Sequence, residues 1–157
     1  MSSLSRFPWA AIVVLTLLAT VAADDKEVRL PKLPQRAGKI DKNASKTFTA
    51  TKSGLKYRIL RQGDGPSPTA ADTVEVYYHG WLDNGKVFDS SYHRNESAVL
   101  PLKTVIAGWN EGIQLVKKGG MIELEVPSTL GYGDAGSGNE IPPKARLHFV
   151  IELVDIK

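Results

Sequence analysis

The chain has 157 residues, 42% of them hydrophobic and 24% charged, with 20 basic and 17 acidic residues mixed along its length for a net charge of +3. Those values fit one modest globular domain with an appendage, and they bring no basic cluster joined to a recognisable nucleic-acid-binding module. The absence of cysteine excludes a disulfide framework, a thiol nucleophile and thiolate metal sites.

In chain order, Arg6 precedes an apolar run from Trp9 to Ala23, closed by small residues and followed by Asp24-Asp25. That pattern predicts a signal peptide over residues 1–23. Val21 and Ala23 fit the −3 and −1 positions, so cleavage is expected after Ala23. The alternative is an uncleaved membrane anchor, but the run falls short of the ~20 residues that usually span a bilayer, which favours cleavage, and no stable membrane association is expected after it. The chain is read as exported, to the periplasm or the extracellular space. Residues 24–49 are polar, with Pro31 and Pro34 and no sustained periodicity, and read as a flexible linker. Its basic residues Lys32, Arg36, Lys39, Lys42 and Lys46 read as a solvated face and not as a nucleic-acid arm.

Residues 50–157 form the expected domain, long enough for one core. Leu55 to Leu60 alternates apolar and charged residues, a half-buried strand, and Gly63-Asp64-Gly65-Pro66 then breaks the chain. Thr73 to His79 is β-branched and aromatic, a second strand, with Asp83-Asn84-Gly85 as the turn signal beyond it. Met121 to Val126 alternates again and stops at Pro127. The last segment places Leu147, Phe149, Ile151 and Leu153 on one face. One helix is predicted: Trp109, Ile113 and Val116 fall at i, i+4 and i+7, with Glu111 in the first turn, Lys117-Lys118 in the last and Gly119-Gly120 as the stop. The class is α+β, an antiparallel sheet packed on one short helix.

Several chemistries lack their residues. His79, His93 and His148 are not paired at metal-ligand spacing. No nucleophile elbow, phosphate-binding loop or dinucleotide fingerprint is present. What remains is a set of aromatics spread over several elements, with Asp89 among them. One of them, Tyr132, lies in a loop with Gly131, Gly133, Gly136 and Gly138, closed by Ile141-Pro142-Pro143. A lone phenol between glycines has little core to fill. Asn43-Ala44-Ser45 and Asn95-Glu96-Ser97 match the glycosylation sequon, which matters only in a eukaryotic source.

The order Val76-Tyr77-Tyr78-His79-Gly80-Trp81, Gly85-Lys86-Val87-Phe88-Asp89-Ser90-Ser91, Val105-Ile106-Ala107-Gly108-Trp109, Gly131-Tyr132-Gly133 and Ile141-Pro142-Pro143 closely resembles the FKBP-type peptidyl-prolyl cis-trans isomerases over residues 54–157. The resemblance implies a five- or six-stranded antiparallel sheet wrapped around one short α-helix, with an apolar pocket for a proline ring between them. It implies Trp109 as the pocket floor and Tyr78, Phe88 and Phe149 as walls, with Val105 and Ile106 along one side. Tyr132 would hang over the rim and offer its hydroxyl to a substrate carbonyl, the Ile106 N–H would bind another carbonyl, Asp89 would sit beside Tyr78 and the twisting amide, and Ile141 would touch the ligand.

The implied activity is rotation about Xaa-Pro bonds in proline-containing polypeptide clients, assisting the folding of exported proteins. It calls for no cofactor and no metal. Binding of macrolide inhibitors is implied as well. A non-catalytic proline-binding or chaperone module is the competing reading. Exported bacterial members often carry a long helical dimerisation segment; the short linker without heptads predicts a monomer. The chain departs from the pattern at the rim: Ser97-Ala98-Val99-Leu100 replaces a lip that carries an aromatic in some members, Ser137 stands where eukaryotic members often have histidine, and Glu140 replaces an apolar residue.

Overall fold

A computed structural model of the chain describes residues 30–157; the leader expected over residues 1–23 lies outside them. Seven strands form a single antiparallel sheet: β1 (Thr49–Ala50), β2 (Lys56–Arg61), β3 (Thr73–Leu82), β4 (Val87–Ser90), β5 (Ala98–Pro101), β6 (Met121–Val126) and β7 (Leu147–Ile156). The spatial order is β1-β2-β6-β7-β3-β4, with β5 also on β3, continuing the edge that β4 begins. This is the expected α+β architecture. The larger strand count comes from the two-residue β1 and from β5, both too short to carry a period.

The sheet's inner face alternates as the sequence does. Val74, Val76 and Tyr78 from β3, Ile122, Leu124 and Val126 from β6, and Leu147, Phe149, Ile151 and Leu153 from β7 are all buried in one cluster. Helix α2 (Ala107–Ile113) closes that cluster, contributing Trp109 and Ile113. It can lie close on β6 because Gly108 and Gly112 face the sheet. A Cβ at Gly108 would come within 2.5 Å of Val126, and one at Gly112 within 2.6 Å of Leu124. The helix therefore starts two residues before the predicted Trp109 and ends at Ile113. Glu111 lies beyond its first turn and Lys117-Lys118 beyond its end, so neither acts on the helix dipole as expected from the sequence. Val116 still reaches the core from the turn that follows. Gly119, at φ +85°, bends the chain into β6 and donates its N–H to Leu153. A second helix, α1 (Ser91–Arg94), is a single turn between β4 and β5.

The outer face is also covered. Leu60, Trp81, Met121 and Val150 form a second cluster, on which Leu30 and Leu33 pack. Among the described residues of the segment read as a linker, 30–48 have no regular structure, yet they are hydrogen-bonded to the sheet. The Gly38 N–H donates to Glu152 Oε1 at 2.7 Å, the Asp41 N–H to the Leu60 carbonyl at 2.8 Å, and the Gln62 N–H to Asp41 Oδ2 at 2.9 Å. The domain's contacts thus extend back from residue 50 to Leu30. The five basic side chains of the segment are exposed. Among the described residues, no helix is long and apolar enough to cross a membrane.

Candidate active site

A cavity of about 300 Å³ opens between the inner face and the N-terminal end of α2. Its aromatic wall comes from four separate elements. Tyr78 meets Trp109 edge to face at 5.1 Å, Trp109 meets Phe149 the same way at 5.2 Å, and Phe149 meets Phe88 at 5.5 Å. Such pairs add about 0.5–1.5 kcal/mol each beyond the area they bury.

Backbone register explains how the rings fit. Gly80 of β3 stands opposite Phe149 of β7 and Asp89 of β4. A Cβ at Gly80 would lie 2.8 Å from both the Phe88 and the Phe149 rings. The glycine is the space into which those two rings lean. It lies in a motif quoted above for other residues, and only the register shows its part in the cavity.

The remaining lining is mixed. Val105 and Ile106 line one side, as expected from the sequence, and Leu100 and Thr104 join them. Leu100 points inward because β5 alternates, with Ala98 and Leu100 half-buried and Val99 exposed. Ile106 precedes α2 with extended backbone; its carbonyl takes the N–H groups of Trp109 and Asn110, while among the described residues nothing accepts from its own N–H. The indole N–H of Trp109 is buried without a partner.

Tyr132 lines the cavity from the glycine-rich loop and is 41% exposed. The loop is held in place by its own backbone. Ser137 and Ile141 exchange two hydrogen bonds across an isolated bridge, and Gly136 sits at φ +69° with its α-carbon against the Ile141 carbonyl, where a Cβ would come within 2.2 Å. Only glycine meets both conditions. Ile141 itself is buried in the core beneath the loop and does not line the cavity, so the ligand contact expected of it is not among the cavity's walls.

At the rim, the Tyr78 hydroxyl donates to Asp89 Oδ2 at 2.5 Å. Arg94 Nη1 donates to Asp89 Oδ1 at 2.5 Å, and Nη2 donates to the Tyr78 oxygen at 2.8 Å. Burial alone would raise the Asp89 carboxyl, but the hydrogen bonds from Tyr78 and Arg94 and the guanidinium charge outweigh it and hold the group below its ordinary value. Burial, and then the bond to Asp89, push the Tyr78 phenol up. Arg94 was not singled out from the sequence. Its one signal there is a cation five residues after Asp89, and the single turn α1 that turns it back is too short to leave a periodic trace. Among the described residues no group of three histidine or carboxylate side chains is placed to hold a metal ion.

Comparison with known proteins agrees with this geometry. Residues 65–154 match the model of the FKBP-type peptidyl-prolyl cis-trans isomerase family. The chain is 48% identical over 111 residues to a probable FKBP-type peptidyl-prolyl cis-trans isomerase of Haemophilus influenzae, covering 71% of this chain and 46% of that one. It is 43% identical over 118 residues to the FKBP-type 22 kDa peptidyl-prolyl cis-trans isomerase of Escherichia coli K12, covering 74% and 57%. Among solved structures, FkpA from Escherichia coli superposes with a TM-score of 0.69 at 44% identity, covering 72% of this chain and 53% of that one. AtFKBP13 superposes with a TM-score of 0.66 at 34% identity, covering 71% and 99%. The chain belongs to the FKBP-type peptidyl-prolyl cis-trans isomerase family. It spans about half the length of the bacterial relatives it matches.

Proposed function

We propose that the domain is a peptidyl-prolyl cis-trans isomerase that rotates Xaa-Pro bonds of exported polypeptides in the aromatic cavity. The observation that carries this reading is the convergence of Tyr78, Phe88, Trp109 and Phe149, from β3, β4, α2 and β7, on one recess with the free Ile106 N–H and Tyr132 at its edge.

The reaction faces a barrier of roughly 18–20 kcal/mol because resonance gives the C–N bond double-bond character. No covalent bond forms or breaks, so no nucleophile is needed. The planar amide is the more charge-separated state, and twisting it removes the resonance. An apolar recess that excludes water disfavours the planar form relative to the twisted one, which makes the site complementary to the transition state. Lowering the barrier by about 5–6 kcal/mol accelerates exchange roughly 10⁴-fold. In this reading Trp109 and Phe149 receive the pyrrolidine ring, and the Tyr132 hydroxyl and Ile106 N–H hold the flanking carbonyls. Asp89 stays ionised, bound by Tyr78 and Arg94, and serves to fix the Tyr78 wall; no proton transfer is assigned to it.

The leader over residues 1–23 is removed on export to the periplasm or the extracellular space, and the mature chain acts as a monomer on proline-containing clients. N-terminal sequencing of the mature protein tests the first statement and sedimentation the second. Macrolide inhibitors would compete for the same recess. The activity is tested by NMR exchange spectroscopy on an Ala-Leu-Pro-Phe peptide. Wild-type protein should speed cis–trans exchange, and Phe88→Ala should lose most of the effect. A wild type no faster than Phe88→Ala would leave a binding module without catalysis.

A further inference from the structure

Behind the cavity wall, on the outer face of β3, lies an imidazole that the isomerase reading does not use. His79 is 3% exposed. It stands opposite Ser90 of β4 in the strand register, and its Nδ1 is 3.0 Å from Ser90 Oγ. Ser90 lies between Asp89 and Ser91. The Tyr78 N–H donates to Ser91 Oγ at 2.8 Å, so both sides of this corner are tied to the strand that carries the Tyr78 wall. The ring of His93, from α1, meets the His79 ring edge to face at 5.5 Å.

We propose that His79 is a positioning residue for the Tyr78–Asp89 wall, and that charging it beside His93 loosens the β4–α1 corner and lowers activity in acid. Catalysis would then depend on pH through a group that never touches the substrate.

The surroundings of the ring give a second charge little compensation. On its own strand His79 neighbours Trp81, at 5.9 Å between rings, and Val150 of β7 stands opposite. The nearest carboxylates on that face are engaged elsewhere. Glu152 of β7 accepts from Tyr92, from Arg61 at 2.7 Å and from the Gly38 N–H. Glu123 of β6 is paired with Arg58 at 2.6 Å. His148 of β7 stacks on the far side of Trp81 and is held by Asp83. Arg94, next to His93, is committed to Asp89 and adds positive charge to the corner. Leu30 and Leu33, which pack over the outer cluster, are apolar.

Burial first, and the charge of His93 second, hold the His79 ring below its ordinary value. The sign follows. The unfolded chain takes up the proton near about pH 6.5 and the folded chain only below it, so stability is full above that pH and is lost as pH falls through it towards the folded value. The element expected to yield is the single turn that carries His93. α1 is one turn long, its N-cap Ser90 makes no side-chain capping bond, and it ends on Asn95 in the left-handed region.

The test is a pH titration of ¹⁵N-labelled full-length protein by NMR, run beside the peptide-exchange assay. The imidazole nitrogens of His79 and His93 and the amides of Tyr78, Asp89 and Ser91 are followed. The three amides should move with the His79 midpoint, and kcat/KM should fall roughly fivefold between about pH 7.5 and about pH 4.5. His79→Gln keeps a polar group opposite Ser90 without titrating; both effects should disappear in it. His93→Gln, an exposed change, removes the charge that opposes protonation of His79, so it should displace both to higher pH, and it carries the test if His79→Gln does not fold. Amides that ignore the His79 midpoint, or an acid limb that persists in His79→Gln, would overturn the proposal. The activity arm rests on the isomerase reading, whereas the amide shifts do not, so a protein with no exchange activity would still decide the structural coupling.

Discussion

The inner and outer faces of the sheet are both buried, but by different means. The inner face is built on an apolar cluster, is covered by α2, and opens into the aromatic cavity. The outer face buries His79, Glu123 and His148 among its apolar side chains, and Leu30 and Leu33 pack over it. A buried charge without a partner is expensive, so the outer face pairs Arg58 with Glu123 and Arg61 with Glu152, and His148 Nε2 lies 2.6 Å from Asp83 Oδ1. The comparison separates two jobs. The inner face supplies a recess with few polar groups, which suits a reaction driven by environment. The outer face supplies rigidity and, through His79, a route by which solvent conditions reach the recess.

The sharpest way to break this division is at the cavity floor. Trp109→Ala should cost about 3–5 kcal/mol of stability, as expected for a buried tryptophan. It should also lower kcat/KM roughly 100-fold, equivalent to about 2.7 kcal/mol in the barrier. Peptide exchange and urea unfolding of the same sample separate the two effects. Next in size is Gly80→Ala. The added methyl group must displace the Phe88 and Phe149 rings, at a cost of about 1–3 kcal/mol, and the exchange assay should show a loss of roughly tenfold. A Gly80→Ala protein of unchanged activity would mean that ring placement does not matter.

On the outer face the expectation reverses. The double change Leu30→Ala and Leu33→Ala should lower the unfolding free energy by about 2 kcal/mol through lost apolar burial while kcat/KM at neutral pH stays within about twofold. Denaturant titration and the exchange assay together read this out. The smallest effect is expected at the rim. Tyr132→Phe removes one hydroxyl from a partly exposed ring, so stability should stay within about 0.5 kcal/mol and kcat/KM should fall roughly fivefold, the size of one hydrogen bond.

What could be read from the sequence follows from how each feature is encoded. The aromatic wall was legible because each ring sits in a distinctive local motif, and strand alternation placed Leu147, Phe149, Ile151 and Leu153 on one face. The loop around Tyr132 was legible from its glycines. Ile141, whose ligand contact came only from the resemblance, is buried beside the Ser137–Ile141 bridge and is not among the cavity's lining residues. The helix boundary shifted because Val116 keeps the apolar spacing of Trp109 and Ile113 although it reaches the core from the turn after α2, while Gly108 and Gly112 let α2 approach β6. The packing of residues 30–49 was hidden for another reason. Leu30 and Leu33 are two isolated leucines among prolines and lysines, with no period, and their contacts are to residues some 30 to 120 positions away. Arg94 and His79 act through contacts across a corner that only the folded register defines.

The central claim is that a proline ring enters the recess floored by Trp109. Intermolecular NOEs between the protein and a ¹³C-proline-labelled Ala-Leu-Pro-Phe peptide test it directly. The account predicts NOEs from the pyrrolidine protons to the rings of Trp109, Phe149 and Tyr78, lost on addition of a macrolide competitor. Proline NOEs to residues of the outer face, with none to Trp109 or Phe149, would contradict it.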